Sequence, residues 1–283
     1  MSGGSAPRRI VLCADDYGIS PGVNRAIRDL IVHGRLSATS VMAVGPAIGR
    51  NEISELQKAA QDGRCAIGLH VTLTAPFHPL TMHFLPQDGG VFWPLSRLLR
   101  ASFSRRIDSE IVEAEIAAQL AAFAEKFGRM PDYVDGHQHV QIFPQIRAAF
   151  LAAVKQAAPH AWVRQCGRPT AQVRRGANAK ALLLDMLSRG FRRSCAKQGL
   201  RFNPAFSGAY DFARQSDFGA ALAGFLNGLP DRSLVMCHPG FVDETLIELD
   251  PLTHQREREY ALLASDAFPQ LLARHGVELA TSP

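Results

Sequence analysis

Val11-Leu12-Cys13-Ala14-Asp15-Asp16-Tyr17-Gly18 is the stretch that decides how this chain is read. A short apolar run ends abruptly in two adjacent carboxylates, followed by an aromatic residue and a glycine. Strands buried on both faces of a parallel sheet read as continuous apolar runs, and α/β proteins build their sites at the carboxyl ends of such strands. Two neighbouring acids placed there repel one another and lose solvation, so a compensating positive charge is expected, most economically a cation. A helix N-cap is the competing reading, because Asp commonly opens the helix after a strand.

Three further apolar runs end in histidine: Ala66-Ile67-Gly68-Leu69-His70, Tyr133-Val134-Asp135-Gly136-His137-Gln138-His139 and Leu234-Val235-Met236-Cys237-His238. A single histidine in such a place is usually a packed, hydrogen-bonded core residue. Three at separate strand ends, together with the Asp-Asp pair, fit chance poorly. One aspartate and two neutral imidazoles form a ligand set suited to zinc or another borderline divalent metal, with positions left for water and substrate. The expectation is a metallohydrolase.

Outward from these strand ends, strand and helix signals alternate along the whole chain. Strands are predicted near 9–14, 37–45, 65–73, 132–138, 161–166, 201–206, 233–238 and 277–281. Helical periodicity is clearest at 108–127, 145–157, 178–198, 216–228 and 255–274. Repeated strand–helix units imply a parallel sheet, and the number of units predicts an α/β fold, a distorted (β/α) TIM-like barrel forming a single domain over 1–283. The 283 residues carry no Pro/Ser/Gly linker, and 47% hydrophobic with 20% charged residues is ordinary for a soluble globular protein. Residues 1–8 read as a polar, disordered leader without the apolar core of a signal peptide, and no run suits a membrane span, so the expected location is cytoplasmic. The five scattered cysteines form no CxxC pair, which argues against a disulfide framework or a structural zinc site. Cys13 and Cys237 read as small buried hydrophobes near the site.

Two segments stand apart. Residues 74–107 hold six prolines and glycines with Phe77, Phe84, Phe92 and Trp93, and they follow directly on the His70 strand. A substrate-covering loop is expected there, its aromatics either stacking on sugar rings or packing the loop down. Residues 164–201 hold ten Arg or Lys against one acid, Asp185, a local charge of +9 within a chain of net +5. The 178–198 helix reads as basic and amphipathic, a candidate for peripheral membrane or glycolipid contact or simply a barrel helix with a solvated basic face. Charge without a recognition motif makes no case for nucleic acid.

Ala14-Asp15-Asp16-Tyr17-Gly18-Ile19-Ser20 with Val23-Asn24, Gly68-Leu69-His70, Asp135-Gly136-His137-Gln138-His139 and Cys237-His238-Pro239-Gly240 together resemble the YdjC-like carbohydrate deacetylases, among them chitooligosaccharide and hopanoid-associated enzymes. The four motifs occur in the family's order over residues 10 to 243. The resemblance implies a distorted barrel that removes acetyl groups from N-acetylated sugars with one divalent metal ion; the permissive ligand set leaves the ion open, magnesium or zinc first, then manganese, cobalt or nickel. It matches Asp16, His70 and His137 to the metal ligands, Asp15 to the catalytic acid residue beside the metal and His238 to a second acid/base residue opposite. Gln141 departs from the pattern, standing where many relatives carry His.

The chemistry runs the same way. Asp15 is placed to take a proton from water, and His238 to protonate the departing amine or stabilise the oxyanion. Asp135 is expected to orient a histidine by accepting its second N–H, with His139 doing likewise or touching substrate. Arg164 is expected to pair with Asp15 or bind substrate hydroxyls. The expected partner is an N-acetylated sugar, with a homodimer left open. A metal-dependent hydrolase of another bond, such as a phosphoester, and a non-catalytic carbohydrate- or membrane-surface binder are the rival readings.

Overall fold

Strand β1, Arg8–Tyr17, is the axis on which the sheet assembles, and residues 10–17 are all buried, as a strand covered on both faces requires. In the computed structural model, which describes residues 6–82, 90–169, 179–210 and 217–283, it is joined by β2 (Ala38–Val41), β3 (Ala66–Val71), β4 (Tyr133–Gly136), β5 (Trp162–Val163), β6 (Phe206–Ser207), β7 (Ser233–Cys237) and β8 (Val277–Leu279). All pairings are parallel, in the order β5-β4-β3-β2-β1-β7-β6, with β8 pairing the first residues of β1. The curled sheet comes round on itself through a bridge between Val163 and Phe202 and a bond from the Phe206 N–H to the Gly167 carbonyl (2.9 Å). This is the expected single α/β domain, a distorted barrel.

Around it run α1 (Pro21–Val32), α2 (Arg50–Ala59), α3 (Leu95–Phe103), α4 (Ser109–Phe127), α5 (Ile146–Ala157), α6 (Ala179–Gln198), α7 (Phe218–Leu226), α8 (Glu244–Leu249), α9 (His254–Ala264) and α10 (Ala267–Arg274). Their ends carry local reasons. Ser20 caps α1 ahead of Pro21, Asp108 accepts the first N–H groups of α4, and Gly128 ends α4 in the left-handed region. The long 255–274 helix of the prediction is two helices, α9 and α10, broken at Ser265-Asp266. The strands predicted at 161–166 and 201–206 are mostly irregular, because their polar side chains turn to the site and to each other.

Two other expectations shift. Of the predicted leader, residues 1–5 lie outside the described residues, but Arg8 already belongs to β1, its guanidinium donating to the carbonyls of Leu226, Leu229 and His275. Within 74–107, residues 83–89 lie outside the described residues, and the rest is not all loop, since α3 occupies Leu95–Phe103. The part before it doubles back, with Phe92 N–H bonded to Phe77 O and Ala75 N–H to Trp93 O. Among the described residues, no helix is long and apolar enough to cross a membrane.

Candidate active site

A regular strand sends successive side chains to opposite faces, so two adjacent aspartates cannot both face one site without a break. The break is present. The β1–β2 register slips between Ala14 and Tyr17, and Asp16 sits at φ 69°, in the left-handed region that a non-glycine residue rarely enters. Both carboxylates consequently turn to one imidazole: His70 Nε2 lies 3.3 Å from Asp16 Oδ1 and 4.0 Å from Asp15 Oδ2. Strain of this kind collects where the surrounding structure over-determines a functional geometry.

His70 arrives at the end of β3, which can press against β4 only because Gly68 has no side chain: a Cβ there would lie 2.4 Å from the Tyr133 ring. The other ring nitrogen, His70 Nδ1, is 2.6 Å from Asp135 Oδ1 on β4. That bond directs Nε2 toward Asp16, the usual way in which a carboxylate fixes the tautomer of a metal-ligating histidine. His137 follows β4 in a tight turn in which Gln138 and His139 both have positive φ, and its Nδ1 lies 3.0 Å from Asp16 Oδ1. One oxygen of Asp16 and one nitrogen from each of His70 and His137 lie within 4.8 Å of one another. Phe77, from the segment after β3, stands edge-on to His137 with ring centroids 5.8 Å apart.

Arg164, just past β5 and fully buried, grips Asp15 with two nitrogens, Nη1 to Oδ2 at 2.7 Å and Nη2 to Oδ1 at 2.6 Å. Its Nη2 also reaches Asp135 Oδ2 (2.6 Å), whose own partner is the Ser40 hydroxyl (2.6 Å). Cys13 lies buried against this cluster, with Sγ 2.9 Å from the Tyr133 hydroxyl, and burial raises its thiol well above the ordinary range. A second group, Cys13, Asp15 and Asp135, also has metal-ligand spacing, but Arg164 already fills the space between those acids.

Two residues that the sequence reading missed come from α9. Arg256 Nη2 donates to Asp16 Oδ2 at 2.6 Å and to Asp250 Oδ2 at 2.8 Å, and Glu259 accepts from the backbone N–H of His238 and from the Tyr210 hydroxyl, both at 2.5 Å. A signal existed: the inward positions of α9 carry Gln255, Arg256 and Glu259, all buried, where an ordinary barrel helix would bury aliphatic residues.

The register of Ala14 with Cys237 brings His238, half-buried, alongside Asp15. His139 lies to one side, its Nδ1 3.6 Å from Cys166 Sγ and its ring edge-on to Phe206, apart from the Asp16–His70–His137 group. Gln141 is buried behind β4 and β5, its amide donating to the Arg164 carbonyl (3.2 Å).

The electrostatics follow from burial and charge. Burial alone would raise the carboxyls of Asp15 and Asp16, but Arg164 and His70 around the first, and Arg256 and His137 around the second, hold both below the ordinary value. Burial would lower His70, yet Asp135 and Asp15 outweigh it and push it up to about 10. Burial lowers His238, and burial aided by Arg164 lowers His139 to about 3. Asp15, Asp16, Asp135 and Asp250 face Arg164 and Arg256; a proton on His70 leaves the group one positive charge short, and release of that proton leaves it two short. A divalent cation fits both the donor set and that deficit.

A putative cellobiose-phosphate cleavage protein from Enterococcus faecalis V583 has a similar structure, with a TM-score of 0.75 at 22% identity over 97% of each chain. A CE4 esterase from Streptococcus mutans superposes with a TM-score of 0.50 at 15% identity, over 97% of this chain and 85% of that one. A peptidoglycan N-acetylglucosamine deacetylase does so with a TM-score of 0.50 at 10% identity, over 96% and 85%. These likenesses are of fold. The YdjC-like protein family model matches residues 9–274, nearly the whole length, and the chain belongs to that family.

Proposed function

We propose that the protein is a metal-dependent hydrolase that removes acetyl groups from N-acetylated sugars, a chitooligosaccharide or a glycolipid headgroup. The observation that carries this reading is the convergence of Asp16 Oδ1, His70 Nε2 and His137 Nδ1 beside a second carboxylate, Asp15, whose two oxygens are already engaged by Arg164. Asp16, His70 and His137 are the residues that would hold the ion. A divalent metal bound there supplies Lewis acidity to the acetamide carbonyl and to the attacking water.

The chain's own groups do the rest. Asp15, ionised and fixed by Arg164, accepts the proton of the water as general base, an effect worth about 10²- to 10⁴-fold in such reactions. His238, on the neighbouring strand, donates toward the oxyanion or the departing amine. Arg164 and Asp135 orient Asp15 and His70, and Phe77, edge-on to His137 in the segment after β3, lies against the sugar. His139 faces the substrate side near Phe206. The family, and folds shared with a CE4 esterase and a peptidoglycan N-acetylglucosamine deacetylase, support this substrate class.

The test is acetate release from diacetylchitobiose and from N-acetylglucosaminyl lipids, using protein stripped of metal and reloaded with single divalent ions. Acetate that appears only on reloading, is lost in His70→Ala together with the bound metal, and falls by about 10²-fold or more in Asp15→Asn with metal retained is the expected outcome. Bound metal with no acetate from any substrate would contradict the proposed reaction.

A further inference from the structure

The two site arginines treat their aspartates differently. Arg164 occupies both oxygens of Asp15, but Arg256 touches only Oδ2 of Asp16 and leaves Oδ1 to the imidazoles. Arg256 is fully buried, yet it does not satisfy itself evenly. Nε donates to the Leu252 carbonyl (3.0 Å), Nη2 serves two carboxylates, and Nη1 has no hydrogen-bond partner among the described residues. A guanidinium placed only to brace a helix against a barrel would distribute its donors; this one concentrates them on Asp16 and Asp250. Asp250, partly exposed at the end of α8, balances its charge, so the arrangement adds little net positive field at the site.

We propose that Arg256 is a positioning residue that makes Asp16 a one-oxygen ligand. By holding Oδ2 it prevents the carboxylate from chelating the metal with both oxygens, and so keeps a coordination position for water and the sugar's acetyl oxygen. The inference rests on the reading of Asp16 as a metal ligand. It assigns to a residue 240 positions away in sequence the setting of coordination number, a task that usually falls to the partners of the ligands.

Co²⁺ is the probe, because its visible d–d absorption weakens as coordination number rises. The wild type is compared with Asp16→Ala, Arg256→Met and Glu259→Ala, each stripped and titrated with Co²⁺ alone. Glu259 lies one turn further along α9 and touches His238 and Tyr210 but not Asp16, so its variant controls for simple disturbance of the helix. The expected result is a weaker d–d band in Arg256→Met, with Co²⁺ affinity reduced about 10- to 100-fold. The Glu259→Ala spectrum should match the wild type. Loss of orientation dominates here over loss of a positive charge, since Asp250 already offsets that charge.

A wild-type spectrum in Arg256→Met overturns the proposal, as does a change equal to that in Glu259→Ala. Co²⁺ binding that Asp16→Ala leaves intact removes the metal-site reading itself and this inference with it. If Arg256→Met does not fold, Arg256→Gln, which removes the guanidinium but keeps a polar side chain at the same place, is read by the same band with the same expected direction.

Discussion

Asp15 and Asp16 are chemically identical neighbours with opposite surroundings. Asp15 is held from inside the barrel by Arg164, which closes both its oxygens and shares the hold with Asp135 and Ser40. Asp16 is held from outside by Arg256 on α9, at one oxygen only. The open oxygen makes Asp16 a candidate ligand; the closed pair makes Asp15 a fixed charge that can take a proton only in passing. In the proposed mechanism, what distinguishes the ligand from the base is the number of lone pairs the neighbouring arginine leaves available.

The largest expected effect tests the inner side. Arg164→Ala leaves Asp15 and Asp135 buried without their cation and should cost about 3–5 kcal/mol in denaturant unfolding. Arg256→Met should cost less, about 1–3 kcal/mol, because Asp250 can turn to solvent. Equal losses would erase the contrast between the two sides.

Next in size is a pH effect on the outer side. Burial raises Glu259 from the ordinary 4.5 to about 7, against the pull of Tyr210, the His238 N–H and Arg256, with Asp15 adding to the rise. The folded state therefore holds this proton more tightly than the unfolded one. The contribution is fully present below pH 4.5 and is lost as pH rises through about 7, by up to about 3 kcal/mol. Asp15 and Asp16, lowered instead, contribute above their ordinary value near 3.8 and lose it in acid. The decline between pH 4.5 and 7 should flatten in Glu259→Gln when unfolding is followed across that range.

A smaller effect comes from the ion. Because the carboxylates outnumber the arginines at the site, a divalent metal at about 100 times its Kd should stabilise the fold by about 2.7 kcal/mol, seen as a rise in Tm on titration. His70→Ala should abolish that rise. Smallest of all, Leu182→Ser and Met186→Ser should change stability by no more than about 0.5 kcal/mol, since both side chains are more than half exposed on α6.

Asp15, Asp16, His70, His137 and His238 were legible because each ends an apolar run, and a strand end in a parallel sheet is where side chains converge. Arg164 was legible for the same reason. The bulge that turns Asp15 and Asp16 to one side was not, since a left-handed Asp has no local sequence signature as firm as a glycine's. Arg256 and Glu259 escaped because they reach the site from an outer helix. The polar inward face of α9 breaks the apolar period that marks barrel helices, and read on its own it looks like a solvated helix. The helices α1 and α2 also went unnamed, although Ser20-Pro21 is a regular helix start.

Direct titration of stripped Asp15→Asn and Asp16→Asn with Zn²⁺ tests the central claim. Asp16→Asn should lose at least about 100-fold in affinity, with Asp15→Asn staying within about tenfold of the wild type. The reverse order, or equal losses in both, would contradict the assignment of Asp16 as ligand and Asp15 as base.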